Sequence, residues 1–179
     1  MNIRLFEKNI YANRRLALSK KIKPGIILFL GNEESSMNYK DNWYPFRQDS
    51  NFLYYFGINV AGLAAIIDTE SGDEIIFGDE LTIEDIVWTG PLPSVKEMAN
   101  AVGVNRTEDA GKLATYISNA IQSKRKIHIT PPYRPENKIK LASLFNCNVD
   151  NLAGYVSVSL IKAIVAQRSY KEACEERNA

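Results

Sequence analysis

The chain has very few of the side chains from which metal and redox sites are most often built. Among its 179 residues, Cys147 and Cys174 are the two cysteines and His128 is the one histidine. The two cysteines have no metal-ligand spacing, so we interpret them as reduced thiols. This interpretation predicts a reducing compartment, and the cytoplasm is the expected location.

The chain also lacks excess charge of one sign and any long apolar segment. Its 22 basic and 21 acidic side chains leave a net charge of +1, which argues against nucleic acid or an anionic membrane as a partner. The longest apolar runs, at 25–30 and 62–67, are far shorter than the roughly 20 residues that cross a bilayer. The amphipathic start contains no signal-peptide core. With 45% hydrophobic residues, the composition is typical of one compact soluble domain.

Helical and strand patterns alternate along the chain. Ser94 is a predicted helix cap, with Glu97 at the capping-box position. The turn at 70–73 between two apolar strands predicts a hairpin, which excludes an all-parallel sheet. We therefore predict an α/β fold with a mixed β-sheet flanked by helices. The predicted helices are 3–21, 94–102, 108–123, 136–145 and one beginning near Leu160, and the predicted strands are 26–30, 63–67, 74–77 and 126–130.

The most informative segment runs from Tyr44 to Gly57. Four polar residues, 47–50, lead directly into a cluster of aromatic residues that ends on a glycine. Ser50 or Asp49 can cap a short helix through a side-chain oxygen. Three rings of that helix, Phe52, Tyr55 and Phe56, then share one face. We expect this signature segment to present a shaped surface to a partner or ligand.

The signature segment resembles the F-R-Q-D-S-N-F-x-Y-x-x-G element of the amino-terminal domain of Xaa-Pro aminopeptidases, the aminopeptidase P group of "pita-bread" metallopeptidases. Further similar segments follow in the family's order, whereas 95–155 are similar only in general pattern. The resemblance implies a ribonuclease-H-like, creatinase-type amino-terminal fold for 1–168. It implies that 169–179 begin a helix leading into a catalytic domain absent from this chain. The further similar segments are 14–16, 24–29, 62–68, 87–94 and 160–169.

The resemblance implies chemistry for which this chain has no matching residues. In the family, two aspartates, one histidine and two glutamates of the carboxyl-terminal domain hold two divalent metals that activate water. Manganese is the expected metal, and no catalytic or metal-binding residue is expected here. His128 lies in an alternating strand without a nearby carboxylate in the sequence, so we interpret it as structural. Asp68 is the one carboxylate at the end of an apolar strand. A two-metal nuclease site needs more than one such carboxylate, so the sequence argues against a nuclease.

Two residues are candidates for contact with substrate at the rim of an active site. By resemblance, Trp88 can reach the active site of a neighbouring subunit, and Asp41 can pair with a free α-ammonium. Their alternatives are packing at the edge of the domain's own core and a solvated loop carboxylate, respectively. We interpret Arg47 as a buried or half-buried anchor. The signature residues assigned a structural or interface role are Arg47, Gln48, Asp49, Ser50, Asn51, Phe52, Tyr54 and Gly57.

These observations predict the non-catalytic amino-terminal domain of a cytoplasmic Xaa-Pro aminopeptidase. Its expected partners are its own catalytic domain, other copies in a homo-oligomer, and a peptide with proline at its second position. The alternatives are the equivalent domain of a Xaa-Pro dipeptidase and a stand-alone or catalytically dead interaction module. A reading frame continuing for about 200 residues distinguishes the enzymes from the module. The aromatic signature and the final helix are expected to form an exposed apolar patch for the missing domain or another subunit.

Overall fold

A five-stranded mixed sheet with helices on both faces forms this domain. The structure is a computed structural model that describes residues 6–39, 42–82, 87, 90 and 93–172. The strands are β1 (Ile26–Leu30), β2 (Ala64–Asp68), β3 (Glu74–Phe77), β4 (Arg106–Glu108) and β5 (Ile127–His128). The helices are α1 (Lys8–Ser19), α2 (Ser50–Phe56), α3 (Val95–Ala101), α4 (Lys112–Gln122), α5 (Pro135–Phe145) and α6 (Val158–Arg168), with a 3-10 helix at Val149–Tyr155.

The spatial order of the strands is β4-β3-β2-β1-β5. Strand β2 pairs antiparallel with both β1 and β3, and its register with β3 places Ile66 opposite Ile75. The outer pairs, β1 with β5 and β3 with β4, are parallel. The predicted hairpin and the predicted mixed α/β sheet are therefore confirmed. Strand β4 was not predicted, and the helix predicted at 108–123 begins only at Lys112.

Alternate side chains of the strands divide the core into two layers. Ile27, Phe29 and Ile67 point into the layer shared with α1, α2, α3 and α6. Ile26 and Ile66 point into the layer shared with α4, α5 and the 3-10 helix. Burial of the sheet on both faces explains why β1 and β2 are continuously apolar.

Local signals fix the ends of the shorter helices. Ser94 Oγ accepts from the Glu97 backbone N–H, and the Glu97 carboxylate accepts from the Ser94 N–H, so the predicted capping box is confirmed. Pro135 occupies the first turn of α5, where its missing N–H costs no helical hydrogen bond. Across the residues that the structure describes, every helix is too short or too polar to span a bilayer.

Candidate functional site

Gln48 is the buried anchor of the signature segment. Its Oε1 accepts from the backbone N–H groups of Asn32, at 2.7 Å, and Asp49, at 2.9 Å. Its Nε2 donates to the Val60 carbonyl at 2.7 Å. These bonds join the loop to the chain after β1 and the chain before β2. The predicted anchor, Arg47, is wrong because its side chain is exposed. A neutral amide can serve donors and acceptors together without the cost of burying a charge.

Helix α2 begins at the cap that the sequence predicted. Asp49 Oδ1 accepts from the backbone N–H groups of Asn51, at 2.9 Å, and Phe52, at 3.0 Å. The helix ends at Gly57 in the left-handed conformation, with φ of 65°. Ser50 is exposed and starts the helix, while Asn51 Oδ1 accepts from Arg168 on α6. The polar half of the signature thus fixes the helix that carries the aromatic half.

The aromatic half faces the domain's own core. Phe52, Tyr55 and Phe56 are fully buried, and Tyr54 retains 9% exposure. The Phe29 ring of β1 lies 5.2 Å from Tyr55 and 5.7 Å from Phe56 between ring centroids. The expected exposed patch of signature aromatics is therefore wrong, because their shared helical face packs on the sheet. These four rings are part of the domain's own core.

Two adjacent arginines of α1 lie under the signature helix. Arg15 Nε donates to Glu74 at 2.9 Å, and its terminal nitrogens donate to the carbonyls of Tyr55 and Val102. Burial lowers the pKa of Arg15 and raises the pKa of Glu74, and their mutual attraction opposes both shifts. Arg14 donates to the Tyr54 carbonyl at 3.1 Å and to Glu172 at 3.0 Å.

The buried arginines were not predicted, although the sequence contains a signal for them. Tyr11, Arg14, Arg15 and Leu18 have the i, i+3, i+4, i+7 spacing of a buried helical face, and all four are buried. The guanidinium carbon of Arg14 lies 4.0 Å from the centroid of the Tyr54 ring, which covers its charge. An arginine at a core position of an amphipathic helix indicates a buried partner for its charge.

Asp68 is neutralised by protein groups and is not free for a metal. Its two oxygens accept from the Arg125 guanidinium at 2.7 and 2.8 Å. Oδ1 also accepts from the backbone N–H groups of Glu70 and Ser71. Burial alone would raise the pKa of Asp68, but these hydrogen bonds and the charge of Arg125 lower it to about 2. The carboxylate therefore closes the turn between β2 and β3 and has no nuclease role.

We predict a stability loss in acid from Asp68. Because its folded pKa is depressed, its contribution is present above its ordinary pKa of 3.8 and is lost as pH falls towards about 2. The shift corresponds to about 2 kcal/mol. Urea unfolding of the parent and of Asp68→Asn between pH 2 and pH 6 should show the difference between them disappear in acid. A constant difference at every pH would contradict this assignment.

His128 is enclosed at the end of β5. It is fully buried, and its Nδ1 lies 3.0 Å from the Ser157 hydroxyl oxygen at the start of α6. Burial lowers the pKa of His128, and the charge of Lys126 lowers it further. The imidazole is therefore neutral near pH 7 and packs against the base of α6, as its predicted structural role requires.

A second pH dependence follows from His128. A histidine with a depressed folded pKa stabilises the fold above its ordinary pKa of 6.5, and this contribution falls as pH decreases below that value. The largest slope is about 1.4 kcal/mol per pH unit. Since His128 is the sole histidine, unfolding of the parent and His128→Gln from pH 7.5 to 5 should show an acid-side loss of stability in the parent that the variant lacks, whatever slope carboxylates such as Glu74 give to both. Equal slopes would contradict burial of a neutral imidazole.

Two depressions open at the end of the sheet where β1 and β5 terminate. The larger, which we name the α6 cleft, has a volume of about 540 Å³ and lies between α6 and the loop 130–133. The smaller, about 240 Å³, lies between the loop 32–35 and the polar start of the signature segment. Tyr133 lines both. Described residues thus form two concave surfaces at this end of the sheet.

The two predicted rim residues, Asp41 and Trp88, lie outside the described residues. Of the described residues on either side of Asp41, Met37 donates its backbone N–H to the Asn42 carbonyl at 2.8 Å, and Ser36 pairs with Trp43. The Trp43 side chain retains 44% exposure. Both rim assignments stay predictions. In the part of the chain that the structure describes, no three His, Cys, Asp or Glu side chains are grouped to hold a metal ion.

Comparison with known proteins finds Xaa-Pro peptidases among the relatives of this chain. The family model described as "Aminopeptidase P, N-terminal domain" matches residues 11–129. A probable Xaa-Pro aminopeptidase of Metarhizium acridum is 30% identical over 101 residues, 55% of this chain and 20% of the relative. Human Xaa-Pro dipeptidase is 26% identical over 106 residues, 59% of this chain and 22% of the relative. The chain thus spans about a fifth of these curated relatives.

The fold is that of a solved aminopeptidase. The structure of Pseudomonas aeruginosa aminopeptidase PepP superimposes with a TM-score of 0.79 at 22% identity, over 98% of this chain and 41% of that protein. This chain therefore has the same architecture as the matched part of the solved aminopeptidase. More than half of the solved protein has no counterpart in this chain.

Proposed function

Because this chain belongs to the aminopeptidase P N-terminal domain family, we propose that it is the non-catalytic amino-terminal domain of a metal-dependent Xaa-Pro aminopeptidase. The family match over 11–129 is the observation that carries this proposal. The intact enzyme would remove amino-terminal residues that precede proline. We propose a cytoplasmic location, in keeping with its near-neutral charge and two cysteines.

The donors of the described residues do not fit the two-metal centre that such an enzyme needs. Asp68 is engaged by Arg125, and His128 is buried against Ser157. A centre of this kind needs several carboxylates together with an imidazole that can reach the ion. We therefore assign the two divalent metals, with manganese as the expected ion, to the domain that follows this one in the relatives.

We propose that this domain contributes to subunit assembly and to the rim of a neighbouring active site. The sequence neighbours of Asp41 support this role, since the aromatic side chains of Tyr39, Trp43 and Tyr44 are all exposed. Aromatic rings beside a carboxylate suit recognition of a free peptide amino terminus. Exposed rings of this kind are typical of contact surfaces between proteins.

A Xaa-Pro dipeptidase is the second candidate, and the match to the human dipeptidase favours it. The two enzymes share their chemistry and differ in the length of peptide they accept. The test is hydrolysis of Ala-Pro and of Ala-Pro-Ala-Ala by the polypeptide encoded by the complete reading frame, with manganese supplied. Cleavage of the tetrapeptide supports the aminopeptidase, and cleavage of the dipeptide alone supports the dipeptidase. Cleavage of neither contradicts both.

The rim assignment predicts kinetic changes in the intact enzyme. Trp88→Ala should lower kcat/KM for Xaa-Pro peptides while the thermal midpoint of unfolding stays near that of the parent. Asp41→Asn should lower kcat/KM about 10-fold to 150-fold by removing one charge-assisted contact. It should weaken acetylated inhibitors far less.

The alternative assignment of Trp88, to the edge of the domain's own core, predicts a loss of stability. A tryptophan packed in its own core would instead cost about 3–5 kcal/mol of stability when truncated. A Trp88→Ala enzyme with a lower thermal midpoint of unfolding but the parent's kcat/KM would therefore contradict the rim role.

A further inference from the structure

The α6 cleft has the composition of a protein contact surface. Its lining is mainly apolar and includes Leu30, Ile129, Leu141, Ile161 and Val165. Polar side chains, Asn51 and Arg168 among them, also line it. Apolar side chains accompanied by a few polar ones are typical of protein interfaces.

Some of this apolar surface is left uncovered by the domain. Val165 retains 57% exposure on α6, and Tyr133 retains 64% on the facing loop. Pro131 and Pro132 extend the same wall. An aliphatic side chain and an aromatic ring exposed across one cleft can be covered by apolar side chains of another folded unit.

The chain that leaves α6 is held beside the cleft. Gln167 Oε1 accepts from the Tyr55 hydroxyl at 2.7 Å, and its Nε2 donates to the Arg14 carbonyl at 3.1 Å. Glu172, four residues beyond the end of α6, pairs with Arg14 at 3.0 Å. Ser169 itself lines the cleft. Any folded unit joined after residue 172 is therefore tethered close to the cleft, at a high effective concentration.

We propose that the α6 cleft is the docking site for the domain that follows this one in its relatives, which seats apolar side chains between Val165 and Tyr133. This inference rests on the proposed function, in which such a domain is present. The lengths of the relatives supply the occupant, since this chain accounts for 41% of the solved aminopeptidase and about a fifth of the curated ones. A second copy of this chain is the competing occupant.

Thiol labelling can test this docking site in two polypeptides, the 179-residue chain and the product of the complete reading frame. Cys147 and Cys174 are replaced by serine in both, and Val165→Cys is the reporter. Ile139→Cys is the matched control, because Ile139 is also aliphatic, lies on a helix and is 66% exposed outside the cleft. Tyr133→Cys is a second reporter on the opposite wall. Circular dichroism verifies that each variant is folded.

In the 179-residue chain, the cysteines at 165 and 139 should react with a maleimide at similar rates. In the complete polypeptide, the cysteines at 165 and 133 should react about tenfold or more slowly, while the cysteine at 139 keeps its rate.

Equal maleimide reaction rates for the cysteine at 165 in both polypeptides would overturn the proposed docking site. Peptidase activity in the same sample would then show that the proposed function stands without that docking site. Slow labelling in the 179-residue chain that becomes faster on dilution would identify a second copy as the occupant and also overturn it. A reading frame that ends near residue 179 would contradict the docking site and the proposed function together.

Discussion

Replacement of Arg15 by methionine should lower the free energy of unfolding by about 3–5 kcal/mol, because it leaves the partner of a buried ion pair without a cation. Arg15 is fully buried and bonds Glu74 and the carbonyls of Tyr55 and Val102. Its loss disconnects α1 from α2, from β3 and from the end of α3. Urea unfolding at pH 7 measures the change.

The matched control for Arg15→Met is Arg106→Met. Arg106 pairs with Glu108 at 3.0 Å, but its side chain is 52% exposed, so this pair should be worth at most about 1 kcal/mol. If an uncompensated Glu74 carboxylate causes the loss, adding Glu74→Gln to Arg15→Met should recover part of it. Equal effects of Arg15→Met and Arg106→Met would contradict the account of α1 as a buried cationic anchor.

Replacement of Gly57 by alanine should destabilise the domain by about 2–5 kcal/mol, the combined cost of a left-handed residue and of overpacking. Gly57 has φ of 65°, and a β-carbon there would lie 2.2 Å from Cζ of Tyr11. Tyr11 is fully buried in α1 and has little room to move. Thermal or urea unfolding gives the value.

Gly72→Ala separates the two causes. Gly72 has φ of 80°, but an added β-carbon meets nothing within 4 Å. The cost at Gly72 should therefore be the backbone term alone, about 1–2 kcal/mol. If Gly57→Ala lowers the free energy of unfolding no more than Gly72→Ala does, the close contact between Gly57 and Tyr11 is not the reason that α2 ends on a glycine.

Elements with a strong apolar period were predictable from the sequence. Strand β1 and the β2–β3 hairpin followed from continuous apolar runs, and α3 followed from Ser94 and Glu97. Strand β4 has only the residues Arg-Thr-Glu and lies at the edge of the sheet, so it has no apolar run to detect. Its pairing with β3 is a tertiary effect that local patterns do not encode.

The candidate site was less predictable than the fold. The spacing of the signature aromatics correctly placed them on one helical face, but it could not say whether that face met a partner or the domain's own sheet. The anchor of the loop is Gln48 and not Arg47, because only the folded chain brings the Asn32 N–H and the Val60 carbonyl to the same side chain. Long-range bonds of this kind leave no periodic trace in the sequence.

We propose that the catalytic groups of the peptidase lie outside these 179 residues. Incubation of the purified 179-residue chain with manganese and Ala-Pro-Ala-Ala, alongside calorimetric titration with manganese, tests this assignment. We expect no release of alanine and no stoichiometric binding of manganese. Release of alanine, or stoichiometric binding that His128→Gln abolishes, would contradict it.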